Sequence, residues 1–591
     1  MGSGIFSIGT GALNASQAML DTVAHNISNV NTPGYSRQQV DLATQDGIYT
    51  GSGFYGRGVK VVTVTRTTND FLVKQLNTNT AQASSDQTRL DKLTQLQNVL
   101  PTGENGLGYA ASQVLNAFVD VANQPQDISA RQVVLSRAQE WVSRMNTAGN
   151  QLNDLQSGVV SDMTSTVDQI NSITTQIANI NQSIAKYNGS GQPPNDLLDQ
   201  RDLMVKNLNK LVQVNTVAAD DGTLSVFMGG GQLLVLSNTA QKLGVVRDPT
   251  DSSQGRVSLE TNGTSRIIDG SQITGGALQG LLNFQDSDLA STRQQLNTFA
   301  ANFAQAVNDQ QSLGVDISGN PQTTFDASGN PVGTPIFTNI NDAASLKLSL
   351  TSPKGLAAAS PLNAVATVSN KGTATIDTLI MARAMPSGTA ADAATSLPTA
   401  GNPLTVVFET DTTDPSKLTY RFVDSSGNPY KDTSPPRSWT AGTSINDQDP
   451  ASTPSDPLFK LNITGVPKAG DTLQISVTTD PKSNNGNAQG MMALRDKTIV
   501  SLDGTSKATV TDAYSQMIGS LGVIVQSGQT AADVSKTLQT NSEQTLASTA
   551  GVNLDEEASR MIQYQQSYQA AAKVLQIAQS LFASLLQTAS Q

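Results

Sequence analysis

A chain of 591 residues with one histidine and no cysteine has few ways to do chemistry. Disulfides, thiolate metal ligands and a Cys nucleophile are all excluded. The lone histidine, His25, rules out His-pair zinc motifs and would have to serve in any Ser-His-Asp triad. It lies inside a helix of heptad spacing beside Thr22, Ile27 and Asn29, and reads as a helix-surface or interface imidazole rather than a base. Gly51-Ser52-Gly53-Phe54-Tyr55-Gly56 matches the GxGxxG pattern, and Asp70 follows at about the distance of a ribose-binding acid. Dinucleotide binding requires a helix N-terminus directly after those glycines. Here Val59-Lys60-Val61-Val62-Thr63-Val64 alternates like a strand, so a hairpin loop is expected. Neither a P-loop nor a GxSxG elbow occurs. The acid pairs Asp220-Asp221 and Glu556-Glu557 read as a turn and a helix start, and two tryptophans, Trp141 and Trp439, are few for a sugar-stacking cleft. The expectation is a chain without catalytic residues, cofactor or metal, with a hydrolase inserted at 346–484 as a remote alternative.

Composition narrows the partners. Charged residues make up only 14% of the chain and net charge is −12, with no long basic cluster. Nucleic acid and anionic membrane surfaces, which need clustered Lys and Arg, are therefore unexpected partners. No apolar run approaches the ~20 residues of a membrane span. Met1 to Met19 contains no Lys or Arg, and the first basic residue is Arg37, so no cleaved signal is expected. The length suggests roughly three to five domains.

The elements that would position these residues follow one design at the two ends and another between. Leu13, Leu20 and Ile27 recur every seven residues, with Ser16, Val23 and Val30 as a second row. That is a coiled-coil seam over ~30 Å of helix. It stops at the turn signal Asn31-Thr32-Pro33-Gly34. At the other end Leu554, Met561, Tyr568, Leu575, Phe582 and Ala589 keep the same spacing, with Tyr564, Ala571, Ala578 and Leu585 as the second row. Asn553 with Glu556 three residues on predicts an N-cap in a capping box, and no Gly or Pro interrupts the run to Gln591. Met163, Ile170, Ile177 and Ile184, interleaved with Val167, Ile173 and Ile180, predict an internal coiled-coil helix whose seam is ordinary core. Leu289, Leu296 and Phe303, and more weakly Met517, Ile524 and Leu538, predict two more. Leu90, Leu93, Leu96 and Leu100 predict a helix beginning near Leu90 and stopped by Pro101.

Short β-type runs, Leu224 to Met228 and Leu233 to Leu236, punctuate 214–270, and Leu404 to Glu409, Leu418 to Val423 and Leu473 to Thr478 mark a Thr-, Ser- and Pro-rich stretch. Ser-Gly-Asn-Pro recurs at 318–321, 328–331 and 426–429 at irregular spacing, as turns rather than a repeat. The fold expected is mainly α with β insertions: long terminal coiled-coil helices, an elongated helical-bundle domain and an inserted all-β outer domain. The boundaries read as 1–45 plus 552–591, 46–345 plus 485–551 with β-hairpins at 46–66, and 346–484, with the helices resuming at Met491.

Ala12-Leu13-Asn14-Ala15-Ser16-Gln17, Leu20-Asp21 and the run His25-Asn26-Ile27-Ser28-Asn29-Val30-Asn31-Thr32-Pro33-Gly34-Tyr35 resemble the N-terminal signature of flagellar rod, hook and hook-associated proteins. Asn553-Leu554-Asp555-Glu556-Glu557, Tyr564-Gln565-Gln566-Ser567-Tyr568-Gln569-Ala570 and Ala572-Lys573-Val574 resemble their C-terminal signature. Tyr35-Ser36-Arg37-Gln38, Arg57-Gly58-Val59 with Arg66 and Asp70-Phe71-Leu72, and Asn195-Asp196-Leu197-Leu198-Asp199-Gln200-Arg201-Asp202 look most like the FlgK-type hook-associated family, as does Gly551-Val552 before the C-terminal signature. The resemblance covers the ends and the helical regions and is weak over 346–484.

It implies an extracellular subunit of the flagellum at the hook–filament junction. Both terminal seams would be assembly interfaces in a helical assembly of copies, and the turn Asn31 to Tyr35 a signature element. It implies export unfolded through the type III export apparatus with the N-terminus uncleaved, and a flagellar export chaperone on the C-terminal helix before that. Hook protein and the second hook–filament junction protein would be neighbours. Because an isolated helix of this length is marginal in water, the ends are expected to lack fixed structure before assembly. Another axial protein of hook or distal rod, and a type III-secreted tip or effector protein, remain the alternatives.

Overall fold

The seven-residue spacing at the two ends becomes two helices, Gly2–Ser28 and Leu554–Ala589, in the computed structural model of the protein. The structure describes residues 2–51, 53–188, 192–261, 263–325, 331–383, 398, 401–430, 436–447 and 457–589. Two compact units divide the chain: Met1–Gln95 with Leu155–Asp288 and Ile524–Gln591, and Leu96–Asp154 with Leu289–Val523.

In the first unit the terminal helices pack on each other. Strand Gln38–Thr44 pairs antiparallel with Val59–Arg66, bulged at Asp41/Leu42, and the GxGxxG stretch between them is a second hairpin, Ile48–Thr50 with Gly53–Tyr55. The strand after the glycines removes the helix terminus that a pyrophosphate would need. Helix Ile128–Asn188 lends its later turns to this unit, and the predicted row Met163, Ile170, Ile177 and Ile184 is fully buried with Val167. Ile173 and Ile180 are half-buried. Val214–Ala218, Leu224–Met228, Gln232–Leu236 and Thr239–Ala240 form a meander, and Gly255–Thr261 is the middle strand of a three-stranded sheet with Lys242–Arg247 and Thr264–Ile267.

One helix begins well before its apolar run. It spans Asp70–Gln97, about twenty residues earlier than the leucines at 90–100 suggest, and ends before Pro101. Asn69 caps it, its Oδ1 accepting from the amides of Phe71 and Leu72 at 3.1 and 3.2 Å. A side-chain cap and tertiary packing carry a first half whose sequence is mostly polar.

The second unit has an aromatic helical core and a β core. Trp141 is fully buried, with ring centroids 4.6 Å from Phe303 and 5.0 Å from Phe337. Trp141→Ala should therefore lower the stability of this unit by about 3–5 kcal/mol, read as a drop in thermal midpoint by near-UV circular dichroism; an unchanged midpoint would remove Trp141 from the core. The β part holds a five-stranded sheet ordered Leu362–Ala366, Thr472–Val477, Leu404–Thr410, Leu418–Val423, Arg437–Trp439, and a three-stranded one of Thr375–Met381, Phe459–Thr464 and Ile445–Asn446. Phe408, Phe422, Phe459, Leu461 and Ile475 fill its core, and alternate residues of Leu404–Thr410 point inward. Helices return with Gly486–Ala493 and Val510–Ala550.

The Ser-Gly-Asn-Pro segments at 318–321 and 426–429 are turns, each closed by an aspartate two residues earlier. Asp316 accepts the amides of Ser318 and Asn320 at 2.8 Å, and Asp424 those of Ser426 and Asn428 at 2.9 and 2.8 Å. Ser328 to Asn330 lie outside the described residues. At the acid pair Asp220-Asp221, Asp221 Oδ1 accepts the Thr223 amide at 2.9 Å around Gly222, whose φ is +84°.

Candidate functional site

The terminal helices meet closely because small residues face large ones. A Cβ on Gly9 would come within 2.8 Å of the Leu575 side chain, and Phe6 meets Phe582 edge-on at 6.2 Å. On the predicted N-terminal seam Ser16 and Val23 are buried, while Leu13, Leu20, Ile27 and Val30 are half-buried. On the C-terminal seam Ala571 and Ala578 are buried, Met561, Tyr564 and Leu575 half-buried, and Leu554, Tyr568, Phe582 and Leu585 exposed. Outside both rows, Val574, Ile577, Leu581 and Leu586 are 43–56% exposed. No residue from Val574 to Gln591 is charged. The C-terminal helix thus carries more apolar side chains than its partner can cover, an outer row beyond the two read from the sequence.

Where the two helices emerge from the body of the unit, a buried polar knot ties them together. Asn26, 1% exposed, is its centre. Its Nδ2 donates to the Gln38 carbonyl and to Glu557 Oε2, both at 2.9 Å. Its Oδ1 accepts from the Gln38 amide at 2.9 Å and from the Tyr35 hydroxyl at 2.7 Å. One side chain thereby joins the end of the first helix, the signature turn, the first strand and the start of the last helix. Glu557 is fully buried. Burial pushes the Tyr35 hydroxyl well above its ordinary pKa, with the carboxylates of Asp199, Asp196 and Glu557 adding to the effect, so it stays a donor at any physiological pH.

A second layer surrounds this centre. Arg37 pairs with Glu556 at 3.2 Å, and its amide donates to the Ala550 carbonyl at 3.0 Å. Arg66 bridges Asp199 at 2.7 Å and Asp202 at 2.9 Å on helix Asn195–Leu211, and Asn195 Nδ2 donates to the Val64 carbonyl at 2.8 Å. Gly34 needs its glycine twice, for a φ of +81° and because a Cβ would lie 2.9 Å from Leu203. In the signature turn Asn31, Thr32 and Pro33 are exposed and Tyr35 half-buried. His25 Nε2 stands 3.6 Å from Asp196 Oδ1, both groups well exposed.

The helix start differs from the capping box in one respect. Asn553 caps as expected, accepting the amides of Asp555 and Glu556 at 3.0 and 3.3 Å. The Glu556 carboxylate is turned to Arg37 and Arg560, the latter at 2.6 Å, because charge-assisted bonds to guanidinium outweigh one to a neutral amide. Arg201, from the same motif as Asp199, lies outside the knot and donates to the Gly222 carbonyl at 2.8 Å. Asn26, Gln38 and Glu557 stand within the end motifs, but nothing local pairs them; the Asn26–Glu557 bond spans 531 positions of sequence.

Two features therefore define the site: a pair of terminal helices with a surplus apolar row, and a knot fixing their bases. Family models match both ends, "Flagella basal body rod protein" over residues 6–35 and "Flagellar basal body rod FlgEFG protein C-terminal" over 543–588. The class is that of structural, axial-type proteins of the flagellum. The model of the "Flagellar hook-associated protein FlgK helical domain" matches residues 93–326. Flagellar hook-associated protein 1 of Salmonella typhimurium is 30% identical over 97% of this chain and 98% of its own length, and that of Escherichia coli 26% identical over 97% of each. The solved structure of the flagellar hook junction protein FlgK from Burkholderia pseudomallei superposes with a TM-score of 0.63 at 26% identity, covering 80% of this chain and 99% of that one. The chain belongs to the flagellar hook-associated protein 1 family and is a structural component of the flagellum that interacts with other axial components. Among the described residues no helix is long and apolar enough to cross a membrane.

Proposed function

We propose that this protein forms the layer joining hook to filament, without catalysing a reaction. The observation that carries the proposal is the surplus apolar row on the C-terminal helix, with Ile577 51% and Leu581 54% exposed in the single chain. Burying the exposed half of each such side chain contributes about 1 kcal/mol, so the row as a whole favours neighbours. The seams Leu13 to Val30 and Leu554 to Leu585 are the assembly surfaces in this reading. Hook protein lies on one side and the second hook–filament junction protein on the other. The similarity to the flagellar hook junction protein FlgK of Burkholderia pseudomallei supports the location.

The path to that place is export through the type III apparatus, uncleaved, to the cell exterior, with a chaperone shielding the C-terminal helix beforehand. The knot keeps the helix bases folded, and the turns beyond Ala571 gain fixed structure on assembly. The three-part layout, with 346–484 outermost, belongs to the same reading.

The location can be tested because the chain has no cysteine of its own. Val368→Cys, at a fully exposed position, would be labelled with maleimide gold on isolated hook–filaments. A band of gold where hook meets filament is expected. Gold spread along the hook, or confined to the rod, would overturn the proposal.

A further inference from the structure

Among the exposed apolar groups of this chain, those of the hairpin Ile48–Tyr55 stand out because two aromatic rings meet in water. Tyr49 is 69% and Phe54 78% exposed, and their rings meet at 5.7 Å across the strand pair. No residue from Gly47 to Gly56 is charged, in a chain with only 4% aromatic residues. An exposed aromatic pair on a small hairpin has the composition of an interface centre, not of a solvated loop.

The hairpin is continuous with the terminal helices. The strand that follows it, Val59–Arg66, begins where Gly58 approaches Ile8, a Cβ there standing 3.1 Å from the Ile8 backbone, and a Cβ on Gly11 would lie 2.7 Å from the Val59 carbonyl oxygen. The chain leaving the hairpin is thus seated on the N-terminal helix while the aromatic pair stays in water, and Ile5, 43% exposed, adds to the same helix's open surface.

The surface that matches it in lacking any charge is the outer row Ile577, Leu581 and Leu586 of the C-terminal helix, 51–56% exposed on a stretch with no charged residue after Lys573. Both surfaces remain open in the single chain. Two different patches on one molecule that fit each other make a heterologous contact, the kind that builds rings or helical arrays. We infer that the aromatic hairpin of one copy docks on the uncharged outer row of the C-terminal helix of a second copy, acting as a lateral clamp. This rests on the assembly role proposed above and adds to it a specific pair of surfaces.

The test places the photocrosslinker p-benzoylphenylalanine at Phe54 in one strain and at Ile577 in another, with irradiation of isolated hook–filaments. For Phe54 the expected product runs at twice the monomer mass. After trypsin it should join the peptide Gln38–Arg57 to Val574–Gln591, the last tryptic peptide of the sequence. A Phe54 product with a different protein, or none while Ile577 crosslinks to a neighbour, overturns the clamp and leaves assembly through the terminal helices standing. If neither position crosslinks to any subunit, both readings fail.

Discussion

Asn26→Leu is expected to loosen the bases of both terminal helices at once. The substitution keeps the branching of the asparagine side chain, at a larger volume, but removes four hydrogen bonds. The Gln38 amide and carbonyl, the Glu557 carboxyl group and the half-buried Tyr35 hydroxyl would each lose a partner, the first three at a buried site. Orphaned buried groups cost about 1–3 kcal/mol apiece, and partial relaxation brings the sum to roughly 3–5 kcal/mol. Hydrogen exchange of the Gln38 amide and of the first turns after Asn553 should accelerate together, by roughly two to four orders of magnitude. Glu557→Gln is the informative control, because its amide oxygen can still accept from Asn26, and it should cost about 1 kcal/mol. If Asn26→Leu left exchange at both places unchanged, the knot would not be what joins them.

The second large effect concerns the outer row. Ile577→Asp with Leu581→Asp places two charges where the chain has none after Lys573. Both positions are about half exposed, so the folded chain should change in stability by no more than about 0.5 kcal/mol per site. In a subunit interface, each carboxylate would lose its water without a partner, at a cost of several kcal/mol. Secretion with an unchanged melting profile, together with hooks that bear no filament, is the expected outcome. Ile577→Leu with Leu581→Met, which preserves apolar volume, should restore filaments. Normal filaments on the aspartate variant would place the assembly contacts elsewhere.

These two sites differ in how far sequence alone discloses them. The heptad rows are visible because a helix repeats its faces every few residues, so Leu13, Leu20 and Ile27 announce a seam on their own. The strands Leu404–Thr410 and Leu418–Val423 are visible for the same local reason, alternation of apolar and polar residues. Helix Asp70–Gln97 is only half legible, since a polar first half is held by a cap and by packing that no spacing encodes. The Asn26–Glu557 bond is the extreme case: both residues stand within recognisable end motifs, yet only the fold makes them neighbours. The surplus row on the C-terminal helix was open to reading as a count, because Val574, Ile577, Leu581 and Leu586 exceed what one seam uses. Which of them the partner helix leaves uncovered depends on rotation about the helix axis, and that is set by the knot and by the close approach at Gly9.

The junction role itself is tested most directly by electron microscopy of cells lacking this gene, with flagellin measured in the medium. Complete hooks without filaments, and flagellin shed as monomer, are expected, with filaments restored by the intact chain. Absent or truncated hooks would move the protein down to the hook or rod, and normal flagella would contradict the role altogether.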